Sequence, residues 1–232
     1  MNNVLVRTVS GVIYIALIVG CILGGPMWFI SLMAVFAIGG VTEFRHVAGI
    51  KCRTGWAAMT AFELDCLAAA AIVYMSCLEV LPVWIELCII GVIMLYALVR
   101  FTLALYDKSA DAFRGTAISV LSLFYIAVPL LLLSLVYAEN RENHMLVLAA
   151  FIMIWINDTG AFCVGSLFGC HRLFERLSPK KSWEGFAGGF VLTVLSGLLF
   201  HRLMPQVEYS QYTWMALGAL VSILSTLSLI HI

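Results

Sequence analysis

The chain has 232 residues, of which 63% are hydrophobic and 11% are charged, and its mean hydropathy is +1.04. The 13 basic and 13 acidic residues give a formal net charge of zero, which excludes the basic surface that nucleic-acid binding requires. No segment is polar enough to form a soluble domain. The composition therefore predicts a single integral membrane domain over residues 1–232.

Eight apolar stretches are long enough to cross a bilayer, whose hydrocarbon core of ~30 Å needs about 20 residues of helix. The predicted fold is an all-α polytopic bundle, with N-terminal helices over about 8–138 and a core richer in polar motifs over about 144–230. In chain order the predicted spans are 8–24, 27–44, 56–78, 82–105, 115–138, 144–168, 185–204 and 212–230.

The distribution of Lys and Arg predicts the orientation of these spans. Eleven of the thirteen basic residues fall in connections on one side of the membrane, and only Arg141 and Arg202 fall on the other. Basic residues concentrate in cytoplasmic loops. Both termini and the loop at 169–184 are therefore predicted to be cytoplasmic.

Four acidic residues lie in the N-terminal spans. Glu86 lies near the outer end of its span and is interpreted as solvated, whereas Glu43, Glu63 and Asp65 are candidates for a polar interior. A carboxylate within a span is costly and usually faces a polar interior. Glu63 and Asp65 are two residues apart and cannot share one helix face, which argues against a paired acid/base site. Four residues after span two are interpreted as an anchor for topology and lipid headgroups rather than as a ligand site: Arg45, His46, Lys51 and Arg53.

The stretch 157–189 brings together an acid within a predicted span, four Lys and Arg side chains, a Ser-Pro turn and six glycines. Asp158 lies eleven residues before Gly169, about 16 Å along a helix, which places it near the middle of the bilayer. Asn157 adds a second polar group, and the GxxxG spacings at Gly165 and in the next span allow helices to approach closely. A packing seam with one satisfied Asp is the simpler interpretation, but packing alone does not explain the acid.

The loop that follows contains Ser178 and Pro179, a pattern typical of an N-cap with proline in the first helical turn. This pattern predicts that Lys180 and Lys181 lie at the positive end of a helix, where cations are disfavoured unless an anion binds. The alternative is that the lysines only follow the bias toward cytoplasmic positive charge. Trp183 suits the membrane interface or stacking on a base. Glu184, four residues after Lys180, is placed to steady that lysine.

The run NDTGAFCVGSLFG, followed by SPKKSWEGFAGG, resembles the motif region of bacterial CDP-diacylglycerol synthases, also called phosphatidate cytidylyltransferases. Ser182 stands where the family usually has Thr, and Cys170 where a basic residue is common. An early Arg, the break at 24–26 and Glu43 at the end of span two also fit the family. The matching residues of the motif are Asp158, Gly160, Ala161, Gly165, Gly169, His171, Leu173, Ser178, Pro179, Lys180, Lys181, Trp183, Glu184 and Gly185.

The resemblance implies transfer of a cytidylyl group from CTP to phosphatidate, giving CDP-diacylglycerol and pyrophosphate with Mg²⁺. It implies a multi-pass protein of the bacterial inner membrane, in contact with membrane lipids, with its active-site loop on the cytoplasmic side and a homodimer as one possible assembly. The implied catalytic residues are Asp158, Lys180 and Lys181, with Asp158 also as metal ligand. The implied substrate-binding residues are Asn157, Ser178, Trp183, Glu184, His171 and Arg172.

The C-terminal end departs from the family pattern. Family members continue with a cytoplasmic segment that carries much of the metal and substrate site, whereas this sequence stops at Ile232 and has Ser228 and Leu229 where the family has Gly and Asp. This departure predicts a truncated chain that lacks the remaining metal ligands and has reduced or no activity. The alternative function is that of a non-catalytic membrane protein or a transporter with an intramembrane Asp, which would not need the Ser-Pro-Lys-Lys motif.

Overall fold

The computed structural model describes residues 3–49, 56–77, 83–107, 111–139, 144–174, 178–205 and 207–228. These residues form nine α helices and one β hairpin. The elements are α1 Asn3–Gly24, α2 Pro26–Val47, α3 Trp56–Tyr74, α4 Val83–Tyr106, α5 Ala112–Ser122, α6 Val128–Glu139, α7 His144–Phe168, β1 Arg172–Phe174, β2 Ser178–Ser182, α8 Trp183–Leu203 and α9 Gln211–Ser228. A 3₁₀ turn over Met75–Cys77 extends α3, and a π turn over Leu123–Ala127 joins α5 to α6.

Each predicted span overlaps one helical segment when α5, the π turn and α6 are counted together. Within the described ranges, five helical segments are long and apolar enough to cross a membrane: Pro26–Val47, Trp56–Cys77, Ala112–Ala138, His144–Phe168 and Trp183–Leu203. Shorter apolar stretches occupy Thr8–Gly24 and Gly91–Tyr106. The prediction of an all-α polytopic membrane protein is confirmed.

The break between α1 and α2 follows from local backbone chemistry. Gly25 has φ of 109°, a left-handed conformation that glycine adopts without steric cost. Pro26 then occupies the first position of α2, where its fixed φ suits a helix and its missing amide loses no hydrogen bond. The sequence prediction of a tight break here is confirmed.

The π turn ends at Ala127, two residues before Pro129. Proline has no amide hydrogen to donate to the carbonyl of Tyr125, and its ring crowds that carbonyl. The amide of Val128 donates instead to the carbonyl oxygen of Leu123, one residue further back than in an α helix. Gly40 of α2 faces the widened turn, and a Cβ at this glycine would lie 2.7 Å from Ile126 Cγ2. The π turn is therefore accommodated by a notch in α2.

The chain divides into two compact units, Met1–Arg141 and Glu142–Ile232. In the first unit, α2 packs against α1, α3, α5 and α6, and α4 packs against α3 and α5. Its core includes Phe29, which stacks on Tyr137 with ring centroids 4.5 Å apart, and the Tyr137 hydroxyl donates to the Ile22 carbonyl at 2.6 Å. The prediction that residues 1–232 form one domain stays a prediction.

In the second unit, α8 packs against both α7 and α9, and α7 also contacts α9. Trp214 is fully buried and stacks on Phe200 with ring centroids 5.9 Å apart. Met153 and Ala149 of α7 complete this apolar core. The three helices thus hold the stretch 157–189 on a packed support.

The hairpin corrects the prediction that a helix begins at Ser178 and Pro179. Residues 178–182 form strand β2, which pairs antiparallel with β1 through Arg172 opposite Ser182 and Phe174 opposite Ser178. The N-cap of α8 is Ser182, whose hydroxyl accepts a hydrogen bond from the Gly185 amide at 3.2 Å. Pairing with β1, whose paired residues lie four and ten residues upstream, overrides the local capping signal. Lys180 and Lys181 therefore lie in a strand and not in the first turn of a helix.

Candidate functional site

A seam of small residues brings α7 and α8 into backbone contact. A Cβ placed on Gly185 would lie 2.7 Å from the Ala161 carbonyl oxygen and 3.1 Å from the Gly165 Cα. A Cβ on Gly189 would lie 2.8 Å from the Asn157 carbonyl oxygen. The close packing predicted from the glycine spacing is confirmed, because only glycine leaves room for this approach.

Asn157 joins α7 to α9 at the floor of this region. The Ser222 hydroxyl donates to Asn157 Oδ1 at 2.6 Å, and Asn157 Nδ2 lies 3.5 Å from Ser225 Oγ. Asn157 and Ser222 are both buried. The buried amide thus has protein partners on α9, which fix its orientation. The sequence interpretation missed Ser222 and Ser225, although their spacing of three residues on an apolar helix marks a polar stripe.

Asp158, the next residue along α7, is exposed on its unit. Its contact with α9 is a long hydrogen bond from the Ser225 hydroxyl to Oδ1, at 3.4 Å. A carboxylate with this little protein contact retains free acceptor capacity for a cation. In the described part of the chain, no group of three or more His, Cys, Asp or Glu side chains could hold a metal ion. Asp158 fits a single oxygen ligand of the kind that Mg²⁺ uses together with substrate phosphates.

Lys181 of β2 is a cation whose charged end is buried without a described protein acceptor. Its Nζ atom is buried, and none of the described atoms makes a hydrogen bond to it. Burial lowers the pKa of the Lys181 ammonium from its ordinary value of 10.5, and the negative charge of Asp158 acts in the opposite direction. A buried ammonium without a counter-ion is energetically costly. The amine and the carboxylate thus form the electrostatic centre of the candidate site.

Glu184 fastens the start of the hairpin to the start of α8. Its carboxylate accepts hydrogen bonds from the amides of Cys170 at 3.1 Å and His171 at 3.2 Å, and pairs with His171 Nδ1 at 2.6 Å. The Trp183 amide donates to the His171 carbonyl at 2.9 Å. The prediction that Glu184 steadies Lys180 rested on helical spacing, which the strand at 178–182 removes. Glu184 instead holds the turn that leads into β1.

The other predicted site residues divide by exposure. Arg172 on β1 and Trp183 at the start of α8 are exposed, and Trp183 makes an edge contact with the Phe186 ring at 6.1 Å. The backbones of Ser178 and Lys180 are part of β2, but their side chains lie outside the described residues. The candidate site thus has two exposed groups, Arg172 on β1 and Trp183 on α8, in addition to the buried amine of Lys181.

Fold and site together define a class: a polytopic helical membrane protein in which a glycine-packed pair of helices carries an intramembrane carboxylate and a lysine hairpin. The sequence matches the cytidylyltransferase family over residues 5–228. The chain therefore belongs to this family.

Several curated bacterial proteins are similar to the chain. A phosphatidate cytidylyltransferase of Staphylococcus saprophyticus is 31% identical over 111 residues, which cover 48% of this chain and 40% of that protein. One from Staphylococcus aureus is 24% identical over 135 residues, covering 58% of this chain and 50% of that protein. One from Staphylococcus epidermidis is 22% identical over 212 residues, covering 91% of this chain and 76% of that protein. In the first two matches the chain spans half or less of the relative's length.

Proposed function

We propose that this chain transfers a cytidylyl group from CTP to phosphatidate, giving CDP-diacylglycerol and pyrophosphate. Membership of the cytidylyltransferase family and similarity to proteins named phosphatidate cytidylyltransferase support this proposal. We further propose a bacterial inner-membrane location with the 169–184 hairpin on the cytoplasmic side, where CTP is available. The predicted homodimer stays a prediction.

The main structural support for the proposal is the ammonium of Lys181, which is buried without a hydrogen-bond partner among the described residues. Such a cation is stabilised when a phosphate oxygen reaches it, since the resulting hydrogen bond is charge-assisted. An apolar solute or a metal cation would gain nothing from this group. The ligand is therefore expected to be anionic, as both CTP and phosphatidate are.

The reaction joins two anions, and the balance of atoms defines the step. A phosphate oxygen of phosphatidate forms a bond to the α-phosphorus of CTP, and the bond from that phosphorus to the oxygen bridging the β-phosphate breaks, so that pyrophosphate leaves. The attacking oxygen is already ionised and needs no general base. Positioning and neutralisation of charge therefore dominate the catalysis.

We assign Lys180 and Lys181 to the phosphates and Asp158 to a divalent cation. A bound Mg²⁺ would neutralise phosphate charge in the way usual for nucleotide substrates. Asp158 Oδ1 and Oδ2 are the oxygens that would hold it, and Lys181 would balance the negative charge that remains.

Roles for the remaining residues follow from their contacts. Exposed Arg172 and Trp183 are free to reach the triphosphate and the base, and Ser178 is assigned to a phosphate. Asn157, His171 and Glu184 are already engaged by protein groups, so we assign them to positioning the polar helix face and the hairpin rather than to direct substrate binding.

Cytidylyl transfer from labelled CTP to phosphatidate, measured with purified protein in mixed micelles, tests the proposal. Mg²⁺-dependent turnover would support the proposal, and Lys181→Ala and Asp158→Asn are each expected to lower its kcat/KM at least 100-fold, about 2.7 kcal/mol. Stabilisation by CTP without turnover would fit the truncated chain with reduced or no activity that the sequence predicts. Exposed Arg114 of α5 offers the matched control, and Arg114→Ala is expected to retain wild-type turnover. Absence of both turnover and stabilisation by CTP in the wild-type protein would reject the proposal.

A further inference from the structure

A second polar cluster lies within the first unit, where α2, α3, α4 and α5 meet. Asp65 of α3 is fully buried and forms ion pairs with Arg45 of α2 and with Arg100 of α4, whose Nε lies 2.7 Å from Asp65 Oδ1. The Tyr96 hydroxyl donates to the same oxygen at 2.8 Å. Ser119 of α5 accepts from Arg45 Nη1 at 2.8 Å and from Arg100 Nη2 at 3.0 Å. We call these five residues the Asp65 cluster.

The Asp65 cluster has one more positive charge than negative. The ion pairs described for its two guanidinium groups both involve Asp65. Glu43 and Glu63, on the same helices as Arg45 and Asp65, are exposed. The cluster therefore has a formal charge of +1, and unbalanced charge is costly inside an apolar bundle.

Hydrogen-bond acceptors are also in short supply. Asp65 Oδ2 accepts hydrogen bonds from both arginines, and Oδ1 accepts one from Tyr96. Arg100 Nε lies 2.7 Å from Oδ1 but is buried without a hydrogen-bond partner in the described part of the chain. The Ser119 oxygen likewise has two donors. Arg45 enters the cluster through Nη1 alone among the contacts described, although a guanidinium has five N–H donors arranged as a planar fork. An additional acceptor would satisfy the N–H donors of Arg45 that Asp65 and Ser119 leave without a partner.

Arg45 is the accessible member of the charged set. Its side chain is 14% exposed, against 4% for Arg100 and 0% for Asp65. It lies in the last turn of α2, at the end of a span, with its guanidinium 5.3 Å from the centroid of the Phe62 ring. Phe62 restricts the orientation of the fork on one side. A ligand would thus reach the cluster at the end of the span, where lipid headgroups lie.

We propose that the Asp65 cluster is a second anion site, which binds a dianionic phosphate through Arg45. Guanidinium groups recognise phosphate bidentately, and the charge of the ligand balances the excess of the cluster. Both inorganic phosphate and the monoester headgroup of phosphatidate have this chemistry. The proposal is independent of catalysis at Lys181, because it rests on residues of the first unit only.

Binding is best measured in the Lys180→Ala/Lys181→Ala background of the full chain, which removes the lysines assigned to substrate phosphate. One arm adds inorganic phosphate to the protein in phosphatidylcholine nanodiscs. A second arm replaces part of the phosphatidylcholine with phosphatidate, without free phosphate, and a third uses phosphatidylglycerol at equal surface charge. The midpoint of thermal unfolding reports binding in each arm.

Stabilisation by inorganic phosphate would identify a soluble ligand, and stabilisation by phosphatidate beyond that by phosphatidylglycerol would identify a lipid headgroup. Either result supports the proposal if Arg45→Gln raises the apparent dissociation constant about tenfold or more while Arg114→Gln leaves it unchanged. Arg45→Lys, which keeps the charge but not the fork, is expected to give an intermediate value, and it also replaces Arg45→Gln if that variant fails to fold.

Three results would overturn the proposal. The first is no stabilisation in the phosphate or phosphatidate arms, and the second is equal stabilisation by phosphatidate and phosphatidylglycerol with none by free phosphate. The third is affinity that Arg45→Gln, or Arg45→Lys in its place, does not change. None of these results bears on cytidylyl transfer, which depends on Lys181 and is measured separately.

Discussion

The two charged groups at the centre of the candidate site have opposite surroundings. Asp158 is exposed and hardly held by the protein, whereas the Lys181 ammonium is buried and has no described acceptor. An exposed carboxylate remains free to bind a cation, and a buried ammonium is stabilised most by an incoming anion. This asymmetry suits a site that brings a metal and a phosphate together.

The pKa of Lys181 predicts a pH-dependent stability. Burial holds that pKa below its ordinary value of 10.5, so the charged lysine destabilises the ligand-free fold at neutral pH. This penalty disappears as the pH rises through the ordinary lysine pKa, where the unfolded chain also loses the proton. Lys181→Met is therefore expected to raise the midpoint of thermal unfolding at neutral pH and to lose that advantage near pH 10.5.

Arg172→Met, on the partner strand, is the control because Arg172 is exposed. Circular dichroism melts of the ligand-free protein in detergent at both pH values make the comparison. The expectation is wrong if both variants raise the midpoint of thermal unfolding equally, or if the rise in Lys181→Met does not change with pH.

Glu184 predicts a second effect, on the hairpin. Glu184→Ala removes the acceptor for the amides of Cys170 and His171, whereas His171→Ala removes only the ring contact. Hydrogen exchange at residues 170 and 171 is therefore expected to accelerate strongly in Glu184→Ala and only slightly in His171→Ala. Glu208→Ala, at an exposed glutamate before α9, should leave these amides unchanged, and equal exchange in all three variants would contradict the role given to Glu184.

Among the helices, the glycine seam between α7 and α8 determines how closely Asp158 on α7 approaches the hairpin that leads into α8. Gly185 faces backbone atoms of Ala161 and Gly165, which cannot rotate away as a side chain can. The lysine hairpin emerges where this contact ends. Its position relative to Asp158 therefore depends on the spacing of the two helices.

Gly185→Ala is expected to push α8 away from α7, because the new Cβ would lie 2.7 Å from the Ala161 carbonyl oxygen. Overpacking of this kind costs about 1–3 kcal/mol. Gly20→Ala in α1, where nothing lies within 4 Å of the new Cβ, should instead be neutral or stabilising by up to about 1 kcal/mol. Chemical unfolding of both variants in detergent measures the difference, and equal stabilities would show that the seam tolerates a methyl group.

At the scale of the whole molecule, the distribution of basic residues predicts one orientation in the membrane. Cys170 is an exposed free thiol at the start of the hairpin, and Glu208 lies in the connection between α8 and α9. In a background without the other cysteines, Cys170 is expected to react with an impermeant maleimide only from the cytoplasmic side. Glu208→Cys, combined with replacement of Cys170, should react only from the outer side, and labelling of both positions from one side would reject the predicted topology.

Much of the fold was predictable from local sequence. Every predicted span overlaps a helix because the length and apolarity of a span are properties of about 20 consecutive residues. The break at Gly25 and the glycine seam were also predictable from local sequence, because each depends on what glycine permits at a single position. The hairpin was not, because the strand at 178–182 depends on pairing with Arg172 and Phe174 rather than on its own residues.

The sequence by itself determined the membrane class, the spans and the polar stretch at 157–189, since each depends on the composition of a short segment. Tertiary structure alone decided which polar groups meet: Ser222 with Asn157, Glu184 with the amide of Cys170, and Arg45 and Arg100 with Asp65. Partners such as Arg45 and Ser119 are 74 residues apart. Helix packing brings them together, and no local pattern encodes that distance.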